Sequence, residues 1–407
     1  MIAGERPRLV ILGTGFAAFQ LVKFLDRKSY DVTVVSRRNH FLFTPLLPST
    51  TVGTVEFRSI IEPARRPGAR FYHAACVGID PAGRRVCCRN AVAFDLEYDL
   101  LVIAVGAASS SYGVPGVEEH ALHLRELNDA RNLRQRILGH LETAALPGLP
   151  EEARARLLHF VICGGGPTGV EVAAELHDLL LDEGRRYFPE LVDQVRITLV
   201  EAGPDILSAF DAKLRRYAAD LFRRERIEVR TGTPVVRVEK DGLELKNGEW
   251  LPYGVLLWSA GNGPTELVRS LPLPKNPKGR ILVDGHLRVP GCENIYALGD
   301  CAANLENPLP ETAQVAMKQG RYLARALNRM ARGKPADPLE YHHLGMLAYL
   351  GGNRALADLP NYKGKGWAAW LFWRSAYLTR LLSIRTKMQV LFNWISSQIF
   401  GRDISRF

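Results

Sequence analysis

The order of apolar and polar residues predicts one supersecondary unit near the start of the chain. An apolar strand covers Arg8–Leu12, a glycine-rich turn covers residues 13–18, and a helical pattern continues to about residue 26. Another apolar run at Val32–Val35 predicts the next strand. Since a strand that runs into a glycine turn and a helix is typical of a βαβ unit, we predict a parallel sheet here.

The same pattern returns in the middle of the chain. His159–Cys163 is apolar, glycines follow at 164–169, Val170–Leu181 is helical in pattern, and Ile197–Val200 is a second apolar run. Two such units predict an α/β protein with two Rossmann-like dinucleotide-binding domains.

The remaining pattern is less regular. Tyr72–Ile79 and Arg84–Arg89 predict a hairpin, and Leu127–Leu141 predicts a helix. We predict a linker over Leu146–Pro150. Three further apolar runs predict buried strands before glycines: Asp99–Val105, Val255–Ala260 and Ile295–Leu298.

Composition excludes several classes of protein. Of 407 residues, 47% are hydrophobic and 24% are charged, which excludes disordered, collagen-like and disulfide-scaffold proteins. The net charge of +10 is concentrated near the C-terminus, where residues 363–407 hold eight lysines and arginines and one acid, Asp403. Because the charge is local, we expect no nucleic-acid binding.

Cysteine usage indicates a reduced compartment. The six cysteines form no C-x-x-C and no metal-ligand spacing, so we expect neither disulfides nor a metal site. No run of 18 apolar residues is present, so we expect no membrane-spanning helix. Because the strand pattern begins by Arg8, we expect no signal or transit peptide.

The two glycine turns have the residue types that a pyrophosphate requires. Backbone N–H groups at a helix N-terminus bind the anion, and side chains there would block it. The first turn has glycine at 13 and 15 and alanine at 18; the second has glycine at 164, 166 and 169. The alternative is a pair of structural turns, but each follows a strand and opens a helix.

The residue at the end of the second strand of each unit indicates which nucleotide binds there. Glu201 can accept hydrogen bonds from an adenosine ribose and would repel a 2′-phosphate, so NADH is favoured over NADPH. A surface glutamate is the alternative. In the first unit, Ser36-Arg37 stands where the acid is expected, and Arg37 fits either a 2′-phosphate or a flavin nucleotide.

The C-terminal segment predicts two amphipathic helices, 366–382 and 385–400, with a break near Ser383. Tryptophans and cations in a segment too short to span a bilayer are typical of an interfacial membrane helix. A packing or dimerisation pair is the alternative. The residues predicted to contact the membrane are Trp367, Trp370, Trp373, Arg374, Leu391, Trp394 and Ile395.

Three further motifs carry a resemblance to a known family. They are Phe43-Thr44-Pro45-Leu46-Leu47-Pro48, Gly299-Asp300, and the stretch from Thr312 to Gly320. With both glycine turns, they resemble the type II NADH dehydrogenases, single-chain non-pumping NADH:quinone oxidoreductases. The resemblance covers nearly the whole chain and is greatest to the fungal and plant branch, although the short N-terminus would suit a bacterial chain.

The family implies FAD, bound without a covalent bond, in the first domain and NADH as co-substrate in the second. It implies an FAD domain at 1–125 and 280–350, an NADH domain at 126–279, and membrane-anchoring or dimerisation helices at 351–407. FAD would contact Gly13, Thr14, Gly15, Phe16, Ala17, Ser36, Arg37, Thr44, Pro45, Ala104, Gly106, Gly299, Asp300 and Ala313. NADH would contact Gly164, Gly166, Thr168, Gly169, Glu171, Glu201 and Gly261, and quinone would contact Gln314, Lys318 and Tyr349.

The implied reaction passes hydride from NADH to the flavin and two electrons to quinone, with Glu171, Gln314 and Lys318 as catalytic residues. Family members usually have glutamine where this chain has Lys318. A carboxylate near a helix N-terminus normally has a lowered pKa, so Glu171 could donate protons only if burial offset that effect.

Two other functions stay open. They are sulfide:quinone oxidoreduction, which would need a redox cysteine pair, and an NADH-sensing flavoprotein. We expect a homodimer, peripheral on an anionic phospholipid surface at the inner face of the bacterial cytoplasmic membrane, or alternatively on the mitochondrial inner membrane.

Overall fold

The computed structural model describes residues 6–405. The α-helices in this part of the chain are α1 (Phe16–Phe24), α2 (Leu47–Thr51), α3 (Val117–His120), α4 (Leu127–Ala144), α5 (Glu151–Leu157), α6 (Pro167–Leu179), α7 (Arg185–Tyr187), α8 (Ala212–Arg224), α9 (Glu266–Ser270), α10 (Ala313–Met330), α11 (Trp367–Arg380) and α12 (Ile384–Phe400).

The strands are β1 (Arg8–Leu12), β2 (Asp31–Ser36), β3 (His40–Leu42), β4 (Ile61–Pro63), β5 (Arg70–His73), β6 (Ala75–Asp80), β7 (Arg85–Arg89), β8 (Ala93–Glu97), β9 (Leu100–Ile103), β10 (Ala107–Ser109), β11 (His159–Cys163), β12 (Arg196–Val200), β13 (Ile227–Arg230), β14 (Val235–Glu239), β15 (Gly242–Leu245), β16 (Trp250–Pro252), β17 (Val255–Trp258), β18 (Asn262–Pro264), β19 (Ile281–Val283), β20 (Arg288–Val289), β21 (Cys292–Ala297), β22 (Ala302–Asn304), β23 (Met346–Gly351), β24 (Arg354–Leu359) and β25 (Tyr362–Gly366).

The chain forms two compact units. The first comprises the chain up to residue 42 together with 61–108 and 262–342; the second comprises 43–60, 109–261 and the chain from 343 onward. The two units are defined by contacts within the chain and do not test the predicted division by ligand. The predicted FAD domain, NADH domain and C-terminal helical domain therefore stay a prediction.

The first unit is built on a sheet in the order β20-β21-β9-β1-β2-β5. All neighbouring strands in it are parallel except the edge pair β20 and β21. Residues 9–12 of β1 are fully buried, as expected for a parallel strand covered on both faces. Helix α10 packs closely on α1, since a Cβ at Gly320 would lie 2.1 Å from the carbonyl oxygen of Ala17.

The second unit has a four-stranded parallel sheet in the order β13-β12-β11-β17. Strand β11 is buried along its whole length. Two antiparallel three-stranded sheets, β14-β15-β16 and β23-β24-β25, belong to the same unit. Both predicted βαβ units are therefore confirmed, each with its glycine loop leaving a central strand of its sheet.

Two sequence predictions of elements need correction. Tyr72–Ile79 is two strands rather than one, because the backbone of Ala74 bonds to Ser36 and ends β5 in the parallel sheet before β6 begins. Strands β6, β7 and β8 then form a three-stranded meander, whose third strand the sequence reading missed.

The C-terminal helices are confirmed with bounds close to the predicted ones. Ser383 lies at the predicted break and caps α12, because its hydroxyl accepts a hydrogen bond from the backbone of Thr386 at 3.2 Å. Residues 354–366, by contrast, form strands β24 and β25 rather than part of a helical segment.

Candidate functional site

The first glycine loop connects β1 to α1. Gly13 has a φ of +107°, and a Cβ there would lie 2.3 Å from the carbonyl oxygen of Ala104, the residue after β9. Gly15 caps α1, and nothing lies within 4 Å of the place where its Cβ would be. Packing therefore requires glycine at 13, whereas the space at Gly15 lets an anion approach the helix N-terminus. Phe16 and Ala17 form the first turn of α1.

A buried hydroxyl pair joins this loop to the end of β2. The Oγ1 atom of Thr14 lies 3.0 Å from the Oγ atom of Ser36. Thr14 also donates to the carbonyl oxygen of His40 at 3.1 Å. Ser36 therefore shapes the loop, while the side chain of Arg37 is exposed at the end of the strand.

The backbone that follows the C-terminal end of β9 leaves open space as well. Ala104 is buried and its N–H donates to Leu12. Gly106 has a φ of +70° with no heavy atom within 4 Å of its missing Cβ. Open space at Gly106 thus lies at the carboxyl ends of the strands, where a doubly wound sheet binds its ligand.

The Gly299-Asp300 motif is held by Gln319, which is not among the site residues predicted from the sequence. The backbone N–H of Gly299 donates to the Oε1 atom of Gln319 at 2.7 Å, and Gln319 is buried. A Cβ at Gly299 would lie 3.6 Å from the Cβ of Ala17. This packing brings Asp300, which is partly exposed, to the same part of unit 1 as the first loop.

The predicted quinone residues of unit 1 lie on the first two turns of α10. Thr312 caps the helix by accepting a hydrogen bond from Val315 at 3.2 Å, which places Ala313 at its first position. The Oε1 atom of Gln314 accepts a hydrogen bond from the hydroxyl of Tyr341 at 2.7 Å. Lys318 is exposed, one turn further along.

The second glycine loop repeats the geometry of the first. Gly164 has a φ of +113°, and a Cβ there would lie 2.8 Å from the backbone nitrogen of Ala260. A Cβ at Gly169 would lie 2.0 Å from the carbonyl oxygen of Gly164. Gly166 caps α6 with open space around it, and Thr168 is exposed on the first turn.

Glu201 lies at the end of β12, as predicted. Its two carboxylate oxygens accept hydrogen bonds from the backbone N–H groups of Gly165 and Gly203, both at 2.6 Å. The carboxylate is partly exposed and keeps further lone pairs for an outside donor. The glycine-loop backbone thus orients Glu201, and its contact with the ribose of NADH stays a prediction.

Gly261 ends the strand region after β17. It has a φ of +74°, and a Cβ there would lie 2.5 Å from the ring of Tyr112. The carbonyl oxygen of Gly261 accepts from the N–H of Ser110. The conformation and the adjacent ring together favour glycine at this position.

Three buried carboxyl groups lie along one face of α6. Glu171, Glu175 and Asp178 follow at i, i+4 and i+7, and all three are buried. Burial raises the pKa of Glu171 to about 8 and also raises the pKa values of Glu175 and Asp178. For Glu171, burial thus outweighs the effect of the helix N-terminus. The sequence reading assigned only Glu171, although the spacing places all three on one face.

Tyr349 joins two of these groups. Its backbone N–H donates to Glu171 Oε1 at 3.1 Å, and its hydroxyl donates to Asp178 Oδ2 at 2.6 Å. The ring is 8% exposed. The predicted contact of this tyrosine with quinone is therefore not supported by the geometry, because the hydroxyl is already engaged inside unit 2.

The Thr44-Pro45 segment begins a 3-10 turn that leads into α2. Both residues are partly exposed. From α2, the hydroxyl of Ser49 donates to Glu175 Oε1 at 2.5 Å, and from the following loop Thr54 donates to Oε2 at 2.8 Å. The segment is thus anchored beside the buried carboxyl groups of α6.

Three of the predicted membrane residues are buried in unit 2, and a fourth, Arg374, is half-buried. Trp370, Trp373 and Trp394 are buried, and the guanidinium of Arg374 lies 4.2 Å from the ring centroid of Trp370 and 4.9 Å from that of Trp394. The three tryptophan side chains are therefore covered by protein and are not available to lipid in this structure, whereas a lipid contact of Arg374 stays a prediction. Periodicity placed them on a stripe but did not show which neighbour covers it.

The exposed apolar surface is instead formed by other side chains of the same helices. On α12, the side-chain oxygen of Asn393 accepts hydrogen bonds from the backbone of Glu56 and the hydroxyl of Ser59, so the polar face points to the protein. Leu391 and Ile395 stay exposed, as does Trp367 on α11. The whole exposed set is Trp367, Leu371, Phe372, Ile384, Met388, Leu391, Phe392, Ile395, Ile399 and Phe400.

Within residues 6–405, no helix is both long and apolar enough to cross a membrane, and no cluster of three or more His, Cys, Asp or Glu is arranged to hold a metal ion.

The cysteines are free. Cys301 is buried, and burial raises the pKa of its thiol to about 11. Cys163 is buried likewise, with its pKa also raised. Neither has the lowered thiol pKa typical of a redox cysteine.

The chain matches two protein families. Residues 7–320 match the pyridine nucleotide-disulphide oxidoreductases, and residues 343–403 match the NDH2 C-terminal domain. The sequence is 41% identical to internal alternative NAD(P)H-ubiquinone oxidoreductase A1, mitochondrial, from Arabidopsis thaliana, over 99% of this chain and 86% of the relative. It is 44% identical to a probable NADH dehydrogenase from Dictyostelium discoideum, over 99% and 92%.

Solved structures agree with these matches. NDH2 from Plasmodium falciparum in complex with NADH superposes with a TM-score of 0.94 at 25% identity, over 98% of this chain and all of that one. A sulfide:quinone oxidoreductase from Aquifex aeolicus shares the fold at a TM-score of 0.74 and 20% identity, over 98% of this chain and 96% of that one. This chain therefore belongs to the pyridine nucleotide-disulphide oxidoreductases and, within them, to the type II NADH dehydrogenases.

Proposed function

We propose that this protein oxidises NADH and transfers two electrons through bound FAD to a membrane quinone, without pumping protons. The observation that carries the proposal is that each unit holds a parallel sheet whose glycine loop opens a helix, which supplies two dinucleotide sites in one chain. The relatives from plants are named as ubiquinone oxidoreductases, which supports a quinone as the acceptor.

FAD fits the first unit. The space at Gly15 accommodates a pyrophosphate at the N-terminus of α1, and Gly106 leaves room at the end of the β9 strand region. Asp300 would bind the ribitol, with Gln319 holding the preceding Gly299. Bound FAD would supply the hydride acceptor and the two-electron carrier of the reaction.

NADH fits the second unit. The N-terminus of α6 and the space at Gly166 would receive its pyrophosphate. Glu201 is already oriented by the backbone of Gly165 and Gly203, so its remaining lone pairs would accept from the ribose hydroxyls. The negative charge would repel the 2′-phosphate of NADPH, which favours NADH.

Glu171 is proposed to hold a proton for quinone reduction, which takes up two. With its pKa raised to about 8 by burial, the carboxyl group is mostly protonated at neutral pH. The backbone of Tyr349 fixes one of its oxygens. In unit 1, the side-chain amide of Gln314 and the exposed ammonium of Lys318 are proposed to hydrogen-bond the quinone carbonyls.

The protein is proposed to act on the inner face of a respiratory membrane, either the bacterial cytoplasmic membrane or the mitochondrial inner membrane. The apolar side chains that α11 and α12 expose, with the basic residues around them, suit an anionic phospholipid surface. The same side chains suit the contact of a homodimer.

Stopped-flow absorbance of the flavin in detergent tests the reaction. We expect NADH to bleach the flavin band rapidly, NADPH to bleach it weakly, and a short-chain ubiquinone to restore it. Bleaching that quinone does not reverse would favour an NADH sensor. If neither nucleotide bleached the band and sulfide did, the proposal would be replaced by sulfide oxidation.

A further inference from the structure

A basic groove lies in the second unit, outside both glycine loops. It has a volume of about 650 Å³ and is lined by side chains of α8, β24 and β25. Its cations are Lys213, Arg216 and Arg224 from α8, Arg354 from β24, and Lys365 from β25. Positive charge thus converges on one surface from three elements.

Little negative charge offsets these cations. Asp220 is the one acid among the lining side chains in the described part of the chain, and it pairs with Arg223 at 3.1 Å. Arg354 pairs with Glu225. Within residues 6–405, the lysines and the other two arginines of the groove form no ion pair, so the positive potential of the groove favours binding of an anion.

One ammonium group is held in place by an aromatic ring. The Nζ atom of Lys365 lies 4.7 Å from the ring centroid of Tyr217. This cation–π contact places the ammonium group beside α8. Leu221 adds an apolar side chain to the lining. The groove therefore combines fixed positive charge with apolar surface.

Helix α11, which carries part of the exposed apolar surface, follows β25 directly in the chain and packs against β24 and β25, the strands that line the groove. Lys365 stands two residues before Trp367, the first residue of α11, which is 63% exposed. Leu371 and Phe372 on the same helix are also exposed. An amphiphile with an anionic head and apolar chains matches both the basic groove and the exposed apolar side chains of α11, whereas a free anion would use only the groove.

We propose that the groove binds the phosphate of an anionic phospholipid, whose acyl chains lie along the exposed side chains of α11. The inference rests on the proposed membrane location and adds a defined headgroup site on α8 to the general attraction of a basic tail. The lipid would fix the rotation of the protein on the membrane, because α8 and α11 would both face it.

The test compares two triple variants of the full-length protein. K213Q/R216Q/K365Q removes charge from the groove; K240Q/K246Q/K278Q removes the same charge from exposed positions elsewhere. Partition is measured onto vesicles of phosphatidylcholine with and without phosphatidylglycerol. Each cation near an anionic surface changes binding about fivefold. We expect the groove variant to bind the anionic vesicles at least about tenfold more weakly than the control variant.

An equal loss of vesicle binding in the two variants would overturn the proposed groove site. The binding would then be due to nonspecific attraction between the basic protein and the anionic membrane. Binding of inorganic phosphate, followed by calorimetry, gives a second arm: if the groove variant lost phosphate binding but bound anionic vesicles like the control, the site would serve free phosphate and the lipid assignment would be wrong. Oxidation of NADH by short-chain ubiquinone in detergent should be unchanged in every variant. If the wild-type protein did not bind vesicles but kept that activity, the membrane location and this inference would be refuted, but the redox function would not.

Discussion

The hydroxyl of Tyr349 donates a 2.6 Å hydrogen bond to the buried carboxyl group of Asp178. The same carboxyl group accepts from the backbone N–H of Gly352 at 2.9 Å. Since the N–H of Tyr349 donates to Glu171, one residue of β23 links both ends of the carboxyl row on α6. We infer that this tyrosine maintains the arrangement of the row and does not contact quinone.

Replacing Tyr349 with phenylalanine should therefore lower stability without weakening quinone binding. The change removes one partner of a buried carboxyl group, which costs about 1–3 kcal/mol. We expect that loss in urea denaturation, with the KM for short-chain ubiquinone within about twofold of wild type. Tyr362→Phe, at an exposed position, is the matched control. A large rise in KM at unchanged stability would restore the quinone contact that the family resemblance implied.

The sequence was informative about the glycine loops because their requirements are local. A pyrophosphate site needs an apolar strand, a turn without side chains and a helix start, all within about ten residues. The structure therefore has the predicted strand, glycine turn and helix start at Gly13 and Gly164, while the ligand contacts there and at Glu201 stay predictions. The bounds of α11 and α12 were also predictable, since helical periodicity is local too.

The sequence was less informative where distant segments decide the environment. Periodicity placed Trp370, Trp373 and Trp394 on apolar stripes, but only tertiary packing shows that Arg374 lies between two of these rings. Burial of Glu171 is of the same kind, because β23 covers it from far along the chain. A residue pattern can mark a face but does not identify what packs on it.

The raised pKa of Glu171 predicts a pH-dependent rate of quinone reduction. If the protonated carboxyl supplies a proton, the rate of flavin reoxidation should fall as the pH rises through about 8. Glu171→Gln keeps the shape but cannot donate, so we expect a rate lower by about a hundredfold and no inflection near that pH. Glu190→Gln, exposed in the same unit, should keep the wild-type profile. An unchanged profile in the Glu171 variant would exclude it as the proton donor.

The same pKa shift predicts a change in stability with pH. A carboxyl group whose pKa is higher in the folded than in the unfolded state favours folding at low pH, and this contribution falls between the unfolded pKa and the folded value of about 8. The melting temperature of the wild type should thus decrease more steeply than that of Glu171→Gln between about pH 5 and pH 8. Parallel curves would indicate that Glu171 is ionised in the folded protein.

Arg402 connects the end of the chain to the buried acids. Its guanidinium donates to Glu183 and Asp182 at 2.9 Å and to Thr54 at 3.0 Å, and its side chain is 9% exposed. Arg402→Gln would leave Glu183 buried without its cation, which typically costs about 3–5 kcal/mol. We expect urea denaturation to detect this loss, while Arg385→Gln, at an exposed position, changes little. Equal stability of the two variants would mean that water already stabilises the negative charge of Glu183.

The exposed apolar face of α12 should decide attachment to membranes but not the chemistry. Phe392 and Ile399 are 68% and 67% exposed, and transfer of such side chains into an apolar phase is favourable by about 1.5–3 kcal/mol each. The double variant F392S/I399S should therefore bind phosphatidylcholine vesicles at least about tenfold more weakly, with unchanged oxidation of NADH by short-chain ubiquinone in detergent. V92S/L305S removes two exposed apolar side chains elsewhere and serves as the control. Unchanged vesicle binding, together with a shift from dimer to monomer in sedimentation, would instead assign this face to the contact between two copies of the chain.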